Sequence, residues 1–177
     1  RDMAQLHEPF FVTALTLSLH PPYDIPGQTA PLTDEAALFR RSAQFTDQAV
    51  GHFMAAARQQ EWYDRTLFVF TADHGSLQPG RLAGDNPAAK HVPWLICGVP
   101  LDSLLKGRSV SPLCNHHDIP ATLLALLGLD SAAARALFPW SRNVLSLSSG
   151  VSPRSVPFAY YTNENGLGWM EGSSAGF

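Results

Sequence analysis

An Asp-His pair at the end of an apolar segment is the part of this sequence best suited to chemistry. Asp73 and His74 follow the run at 66–72, which is rich in β-branched and aromatic residues and therefore predicts a β-strand. Functional side chains of α/β sheets collect at the carboxyl ends of the strands. One carboxylate oxygen and one imidazole nitrogen suit zinc or manganese better than calcium, which prefers oxygen ligands alone. The pair therefore predicts half of a metal site.

The same two residues also have a purely structural interpretation, in which Asp73 caps the segment after the strand and His74 is an ordinary surface histidine. Their context favours the metal site. A predicted helix of crossover length precedes the strand, and a further predicted strand at 92–97 follows it in βαβ order.

The segment that would lie beside this strand comes near the start of the chain. Residues 9–18 are dense in β-branched, aromatic and leucine side chains, as a buried central strand requires. Pro21 and Pro22 end the segment, because proline cannot continue a β-ladder. This leaves His20 at the same edge of the sheet as the Asp-His pair.

The order of the predicted elements indicates the fold class. Residues 33–60 predict a helix, because their apolar side chains recur on one stripe, and Thr33 is its predicted N-cap. Strand, helix and strand in this order favour a right-handed parallel crossover. The sequence therefore predicts an α/β fold with a mostly parallel sheet and flanking helices. The segment 76–90 is broken by glycine and proline and predicts an active-site loop.

Two further elements are predicted beyond the active-site loop. Asp118 as N-cap, Pro120 in the first turn and Gly128 after the last turn predict a short helix. Near the end of the chain, the segments 156–162 and 167–170 predict the two strands of a β-hairpin. The turn between them is predicted at Asn163, Glu164, Asn165 and Gly166.

The composition excludes several classes of protein. With 45% hydrophobic and 15% charged residues, the 177-residue chain can bury a core and is neither disordered nor fibrous. A formal net charge of −3, without a cluster of Lys and Arg, argues against nucleic acid as a partner. The longest apolar stretch, at 10–19, is too short to cross a bilayer, so we expect no membrane span in these residues. Cys97 and Cys114 are interpreted as buried structural thiols, with a single disulfide as the alternative.

Five segments, taken in order, carry a resemblance to a known family. They are 9–23 with its Leu19-His20-Pro21-Pro22, 47–53, 64–75 with its Ala72-Asp73-His74-Gly75, 92–96 with its Val92-Pro93, and 117–128 with its His117-Asp118-Ile119-Pro120. Together they resemble the C-terminal half of the sulfatase branch of the alkaline phosphatase superfamily. Within that branch, the resemblance is closest to the lipoteichoic acid synthase and phosphoglycerol transferase group.

The resemblance implies a metal-dependent enzyme that works through a covalent intermediate. In the family, a Thr, Ser or formylglycine nucleophile attacks a phosphate or sulfate ester and passes the group to water or to an acceptor alcohol. Asp73 and His74 would hold the divalent metal, expected to be manganese or zinc, with magnesium as a further option. His20 matches the family's histidine beside the substrate phosphate, where it would bind an ester oxygen or protonate the leaving alkoxide.

The remaining histidines are weaker candidates. Family members with a second metal often carry a histidine a few residues before the strand matched by 92–96, whereas His91 is directly adjacent to it. A contact of His91 with metal or substrate therefore competes with a capping or surface role. His116 and His117 precede the predicted helix, where the family has structural residues, and we expect them to pack and cap.

The resemblance also implies that part of the site is supplied from elsewhere. The family's nucleophile and its first acidic metal ligand lie before the matched segments, and the chain begins with Arg1 rather than Met. We therefore expect 1–177 to be the C-terminal portion of a sulfatase-like catalytic domain. The core resemblance covers 9–128, and 129–177 is a loosely matched segment that holds the hairpin. The N-terminal half of the same domain is the expected partner, without which the chain is expected to be inactive.

These inferences favour the C-terminal part of a phosphoglycerol transferase-like enzyme that acts on a phospholipid or glycan-type substrate. The family implies the cytoplasmic membrane of a bacterium, with the catalytic domain on the extracytoplasmic side. A sulfate or phosphate monoester hydrolase is the first alternative, because the residues that select the transferred group lie upstream or in the loop at 76–90. The second alternative is a non-catalytic domain that kept the fold and binds a glycan or a lipid head group.

Overall fold

A computed structural model describes residues 3–27, 33–101, 103, 105–110, 113–147, 158–161, 166–171 and 174–176. The helices in these ranges are α1 (Glu35–Ala57), α2 (Ile119–Leu126), α3 (Ser131–Leu137) and α4 (Val144–Leu147), with 3-10 turns at Met3–Gln5, Tyr63–Arg65, Pro87–Lys90 and His116–Asp118. The strands are β1 (Phe68–Thr71), β2 (Trp94–Cys97), β3 (Phe158–Tyr161), β4 (Leu167–Glu171) and β5 (Ser174–Gly176).

The chain divides into two compact units, one of 1–83 and 91–100 and one of 84–90 and 101–177. Within the described ranges, no helix has both the length and the apolar composition that crossing a bilayer requires.

Helix α1 confirms the long predicted helix but begins at a different cap. The carboxylate of Asp34 accepts a hydrogen bond from the backbone N–H of Ala37 at 3.1 Å, so Asp34 is the N-cap. The prediction of Thr33 as N-cap is therefore wrong. Asp34 serves better because its charged acceptor also complements the positive end of the helix dipole. Glu35 adds a second negative charge in the first turn.

The core of the first unit is built from aromatic residues around β1. Trp62 and Phe68 are buried together with Ala57, and the rings of Trp62 and Phe68 have centroids 6.4 Å apart. The ring of Phe10 meets Trp62 edge-on at 5.9 Å, and Tyr63 packs against Phe68 at 5.5 Å. Aromatic pairs of this kind bury a large apolar surface in a fixed geometry. They hold in place the strand that precedes the Asp-His pair.

Strands β1 and β2 pair antiparallel, with Phe68 opposite Cys97. The parallel arrangement predicted for this pair is wrong. A parallel pair needs a crossover that returns the chain to the starting edge of the sheet, usually by a helix. The connection at 72–93 contains a 3-10 turn at Pro87–Lys90 and no such helix.

The segment 9–18 is irregular and belongs to no β-ladder among the described residues. Its ends are held, because Phe10 packs on Trp62 and the carbonyl of Ser18 accepts a hydrogen bond from the hydroxyl of Ser42 on α1. Between these anchors, every residue from 11 to 17 is exposed. The predicted buried central strand, and the crossover from it to β1, are therefore wrong for the described chain. The physical reason is that no described strand lies alongside to pair with this backbone.

In the second unit, the helix predicted from Asp118 and Gly128 is confirmed as α2, with a proline in its first turn. Gly128 has φ +81°, the left-handed conformation that often ends a helix. Its N–H donates to the carbonyl of Ala125 at 3.0 Å, and the N–H of Leu129 donates to Leu124 at 2.9 Å. This double hydrogen bond is the Schellman motif. Asp118 stands at the N-cap position, but its side chain does not cap the helix.

The predicted hairpin near the end of the chain is also confirmed. Strands β3 and β4 pair antiparallel, with Phe158 opposite Met170. Strand β5 adds a third antiparallel strand that was not predicted. The predicted turn residues at 163–165 lie outside the described residues.

Candidate metal and substrate site

Asp73 and His74 lie just beyond the carboxyl end of β1, as the sequence predicts. Only Ala72 separates Asp73 from Thr71, the last residue of the strand. Both side chains face solvent, with 69% of the Asp73 side chain and 76% of the His74 side chain exposed. A rigid strand therefore delivers an accessible carboxylate next to an accessible imidazole.

Hydrogen bonds fix how this pair presents its free atoms. The backbone N–H of His74 donates to Oδ1 of Asp73 at 3.0 Å, which leaves Oδ2 available. Nδ1 of His74 lies 2.8 Å from the carbonyl oxygen of Gly75. Because a carbonyl only accepts, Nδ1 must carry the proton, and Nε2 then presents its lone pair in the neutral ring. A second hydrogen bond of this kind is how proteins orient histidines that bind metals.

The separation of the two free atoms fits a single metal ion. Nε2 of His74 lies 3.7 Å from Oδ2 of Asp73. Two ligands that each bind at about 2.0–2.2 Å can be no more than about 4.4 Å apart. Asp73 and His74 therefore fit as two donors to one divalent ion.

The ring of His20 is oriented in the same way as that of His74, by a hydrogen bond to a backbone carbonyl, but on a different turn. Its Nδ1 lies 2.7 Å from the carbonyl oxygen of Pro21, so Nε2 again faces outward without a proton in the neutral ring. The backbone N–H of His20 donates to the carbonyl of Leu17 at 3.1 Å. The backbone N–H of Tyr23 donates to the carbonyl of His20 at 2.8 Å. Tyr23 is buried and packs edge-on against Phe39 of α1 at 6.0 Å. The turn that carries the exposed His20 is thereby anchored to the helix.

The described residues bring together Asp73 and His74 but add no third ligand. No group of three or more His, Cys, Asp or Glu side chains in this part of the chain is arranged to hold a metal. His20 and His91 therefore do not join the pair in such a group. His91 is exposed and directly follows the 3-10 turn at Pro87–Lys90.

One residue of the predicted active-site loop has a contact that the sequence did not reveal. Nη2 of Arg81 lies 2.9 Å from Oδ1 of Asp34, the N-cap of α1. Arg81 has φ +51°, and the N–H of the next residue, Leu82, donates back to Leu77 at 2.9 Å. The first part of the loop is thereby folded on itself and tied to the start of α1.

The second unit contains a buried ion pair that sequence analysis also missed. Asp118 is fully buried, and its Oδ2 lies 2.8 Å from Nη2 of Arg142. Its carboxylate also accepts from Nε and the backbone N–H of Arg142 at 3.1 and 3.0 Å, and from the N–H of Asn115 at 2.9 Å. Burial raises the pKa of Asp118, but these hydrogen bonds outweigh it and hold the pKa below its ordinary value. Asp118 is thus the N-cap residue of α2 by position, as predicted, while its side chain anchors the turn before the helix.

One signal in the sequence marks Arg142 as unusual. Arg142 is the sole charged residue between Arg135 and Arg154. A lone charge in an uncharged stretch needs a partner if it is buried.

His116 and His117, in the turn with Asp118, are both exposed.

The two cysteines are free thiols rather than a disulfide. Burial raises the pKa of Cys97. Burial, followed by the nearby charge of Asp118, also raises the pKa of Cys114. Both residues are partly buried rather than fully buried as the sequence predicts. A raised pKa lowers the fraction of reactive thiolate, which fits a structural role for both.

Comparison with known proteins agrees with the family resemblance that the five segments carry. A family model described as Sulfatase matches residues 2–129. Lipoteichoic acid synthase 2 of Bacillus subtilis (strain 168) is 24% identical over 195 residues, which cover 93% of this chain and 29% of that protein. Lipoteichoic acid synthase-like YvgJ of the same organism is 22% identical over 151 residues, which cover 74% of this chain and 24% of that protein. The chain therefore spans less than a third of the length of either relative, and no solved structure is significantly similar to it.

Proposed function

The chain belongs to the Sulfatase family and has its alkaline phosphatase-like α/β fold, and from this premise we propose that it is the C-terminal part of a metal-dependent phosphoglycerol transferase-like catalytic domain. Membership of this family supports the assignment of the chain to an enzyme that transfers or hydrolyses phosphate or sulfate esters. Transfer is favoured because both relatives are named for lipoteichoic acid synthesis. The nucleophile that forms the covalent intermediate is supplied by polypeptide outside these residues.

The observation that carries this proposal is the orientation of Asp73 and His74. Oδ2 and Nε2 are left free and 3.7 Å apart, on two side chains that share one exposed strand end. A divalent cation at such a pair would supply positive charge beside a non-bridging oxygen of the ester. Manganese and zinc both accept this mixture of oxygen and nitrogen donors, and magnesium is the further option.

His20 is assigned to the leaving group or to a substrate oxygen. Its Nδ1 is committed to the carbonyl of Pro21, so any proton that the ring gives or takes moves through the exposed Nε2. When protonated, this nitrogen donates a hydrogen bond to a phosphate oxygen or a proton to the departing alkoxide. The alcohol then leaves neutral, and the phosphoglycerol group stays bonded to the nucleophile until an acceptor alcohol takes it.

The proposed substrate is a phospholipid or a glycan-type molecule, and the proposed location is the extracytoplasmic face of a bacterial cytoplasmic membrane. Both follow from the relatives rather than from the described residues. His91 stays a candidate for a contact with metal or substrate, because it is exposed at the end of the loop connection.

Hydrolysis of a sulfate or phosphate monoester is the second candidate function, favoured by the description of the matching family itself. The two reactions share the first step and differ in what accepts the group. A non-catalytic domain that binds a glycan or lipid head group would need neither the metal nor the nucleophile.

The test uses the full-length protein from its native source, incubated with a phosphatidylglycerol vesicle and manganese. A transferase gives diacylglycerol and an intact-mass increase of one phosphoglycerol group on the protein, which disappears when an acceptor alcohol is added. Asp73→Ala and His74→Ala are expected to abolish both products. His52→Ala is the matched control, because His52 is an exposed histidine on α1 far from this chemistry in sequence.

Three results would decide between the candidate functions. Turnover of an aryl sulfate or phosphate monoester, without any reaction of the vesicle, would replace the transferase by the hydrolase. Unchanged product yield in Asp73→Ala would remove the metal pair from the mechanism. Absence of all turnover together with unchanged metal content in both variants would favour the non-catalytic domain.

A further inference from the structure

The turn that carries His20 is docked on the first two turns of helix α1. Tyr23, at the end of this turn, is buried and packs its ring edge-on against Phe39 of the helix at 6.0 Å. Burial, followed by the negative charge of Glu35 in the first turn of α1, raises the pKa of Tyr23. Both contacts place the end of the His20 turn against the N-terminal end of α1.

The loop that follows the Asp-His pair is docked on the same end of this helix. Nη2 of Arg81 lies 2.9 Å from Oδ1 of Asp34, the residue directly before α1. The other oxygen, Oδ2, accepts the backbone N–H of Ala37 and caps the helix. Asp34 therefore uses one carboxylate oxygen to fix the helix and the other to fix the loop.

Tyr23 and Arg81 also share an uncommon backbone conformation. Their φ angles are +64° and +51°, and no other non-glycine residue in the described ranges has a positive φ. Such residues persist where the surrounding contacts hold them, and they cluster at functional sites. Tyr23 lies three positions after His20, and Arg81 lies seven positions after His74. Each held residue therefore stands close in sequence to a candidate site residue.

Hydrogen bonds within the loop connect the docked arginine to the ring of His74. The backbone N–H of Leu82, the residue after Arg81, donates to the carbonyl of Leu77 at 2.9 Å and closes the loop on itself. At the start of the loop, the carbonyl oxygen of Gly75 lies 2.8 Å from Nδ1 of His74 and orients the imidazole. A shift of the loop at Arg81 is therefore passed to the carbonyl that sets the direction of Nε2 of His74.

We propose that Asp34 and Arg81 are positioning residues for the proposed reaction, on which this inference rests. Their ion pair holds the loop that orients His74 at the end of α1 where the turn of His20 is also anchored. It thereby sets the spacing between His20 and the metal pair. Both charged side chains are largely exposed, and ion pairs of this kind contribute little to stability. A misplacement of about 1 Å, by contrast, can slow a catalysed reaction by about 100-fold.

Two variants break the ion pair from its two sides while the helix keeps its cap. Asp34→Ser retains an N-cap, because serine caps about as well as aspartate, but it has no charge to hold the loop. Arg81→Gln removes the cation. Arg40→Gln is the matched control, because Nη2 of Arg40 lies 3.8 Å from the same carboxylate but belongs to α1 rather than to the loop.

The kinetic test uses the full-length protein from its native source with the phosphatidylglycerol vesicle and Mn²⁺. Asp34→Ser and Arg81→Gln are each expected to lower kcat by about 10-fold or more and to change KM by less than about 3-fold. The double variant should be no slower than the slower single variant, because both changes remove the same contact. Arg81→Lys, which keeps the positive charge, should recover kcat to within about 3-fold of the original protein.

A structural measurement on the same variants does not depend on turnover. Hydrogen exchange is followed by mass spectrometry on peptides that cover 76–82, where the N–H of Leu82 is bonded. Asp34→Ser and Arg81→Gln should speed this exchange by about 10-fold, while Arg40→Gln should leave it unchanged. Exchange that is equal in all variants and the original protein would overturn the proposal.

Other outcomes would also overturn it. A loss of activity in Arg81→Gln without one in Asp34→Ser, or a rise of KM at unchanged kcat, would make Arg81 a direct contact of the substrate. An equal loss in Arg40→Gln would indicate a general effect of charge. Normal kcat in Arg81→Gln beside an inactive Asp73→Ala would overturn this inference alone, whereas a lack of turnover in the original protein would overturn the proposed function as well.

Discussion

The carboxylate of Asp118 and the guanidinium of Arg142 form a bidentate ion pair in which the carboxylate is wholly buried, although the two residues lie 24 positions apart. Nη2 of Arg142 also donates to the carbonyl of Leu113 at 3.0 Å. The pair therefore joins the stretch 113–118 to Arg142 within the second unit. A buried charge that loses its partner is costly, which makes this contact a sharp test of the fold.

Replacing Arg142 by alanine is expected to destabilise the protein strongly. The change leaves the Asp118 carboxylate buried without its counter-charge, at a cost of about 3–5 kcal/mol. Arg135→Ala is the control, because Arg135 is exposed on α3, and it should change stability by less than about 0.5 kcal/mol. Urea unfolding followed by circular dichroism measures both. Similar midpoints for the two variants would refute the buried pair.

The same pair predicts a pH dependence of stability. The folded pKa of Asp118 is lowered, so the ionised carboxylate stabilises the protein above its unfolded pKa of about 3.9. That contribution is lost as the pH falls through the lower folded pKa. Asp118→Asn removes the titrating group, so its stability deficit against the original protein should be largest near pH 7 and shrink toward pH 3. A deficit that is independent of pH over this range would show that the ionised form is not what stabilises the fold.

Gly98 is expected to tolerate no side chain. It has φ +144°, and a Cβ there would overlap the carbonyl oxygen of Thr66, which is backbone and cannot move aside. Gly98→Ala should therefore lower the melting temperature by several degrees, since strain at the end of β2 disturbs its pairing with β1. Gly51→Ala in α1 has open space around it and should stabilise the helix by about 1 kcal/mol. Thermal unfolding of the two variants should shift in opposite directions, and equal shifts would contradict the geometry at Gly98.

The N-cap of α1 gives a paired test of neighbouring residues. Asp34→Ala removes the acceptor for the N–H of Ala37 and should cost about 1 kcal/mol. Thr33→Ala should have almost no effect, because Thr33 is outside the helix. The free energy of unfolding measured in urea distinguishes the two. A larger loss of unfolding free energy in Thr33→Ala than in Asp34→Ala would show that Thr33, as predicted from the sequence, is the N-cap.

Local patterns in the sequence predict helices α1 and α2 and the position of Asp73 and His74 after a strand, because the forces that fix these features act over a few residues. They do not predict α3 and α4. Asp73 and His74 could be assigned to a strand end from the apolar run before them. Gly128 could be assigned to the end of α2 because glycine readily adopts the left-handed conformation. The choice between Thr33 and Asp34 as N-cap failed because both residues are good caps and only the geometry separates them.

The other errors concern partners that are distant in sequence. An apolar segment such as 9–18 indicates that it must be covered, but it does not say whether the covering strands belong to the same 177 residues. The antiparallel pairing of β1 and β2 depends on how a 22-residue connection returns, which periodicity does not encode. Arg142 was missed for the same reason, because its partner lies in another stretch of the chain.

The most direct test of the central claim is a calorimetric titration of the full-length protein with Mn²⁺ and Zn²⁺, with Asp73→Ala, His74→Ala and the control His52→Ala. Each of the first two changes is expected to weaken binding of at least one of these ions by about 10-fold or more, on the order expected for loss of one ligand. His52→Ala should bind as the original protein does. Unchanged affinity in both Asp73→Ala and His74→Ala would contradict the assignment of this pair as metal ligands.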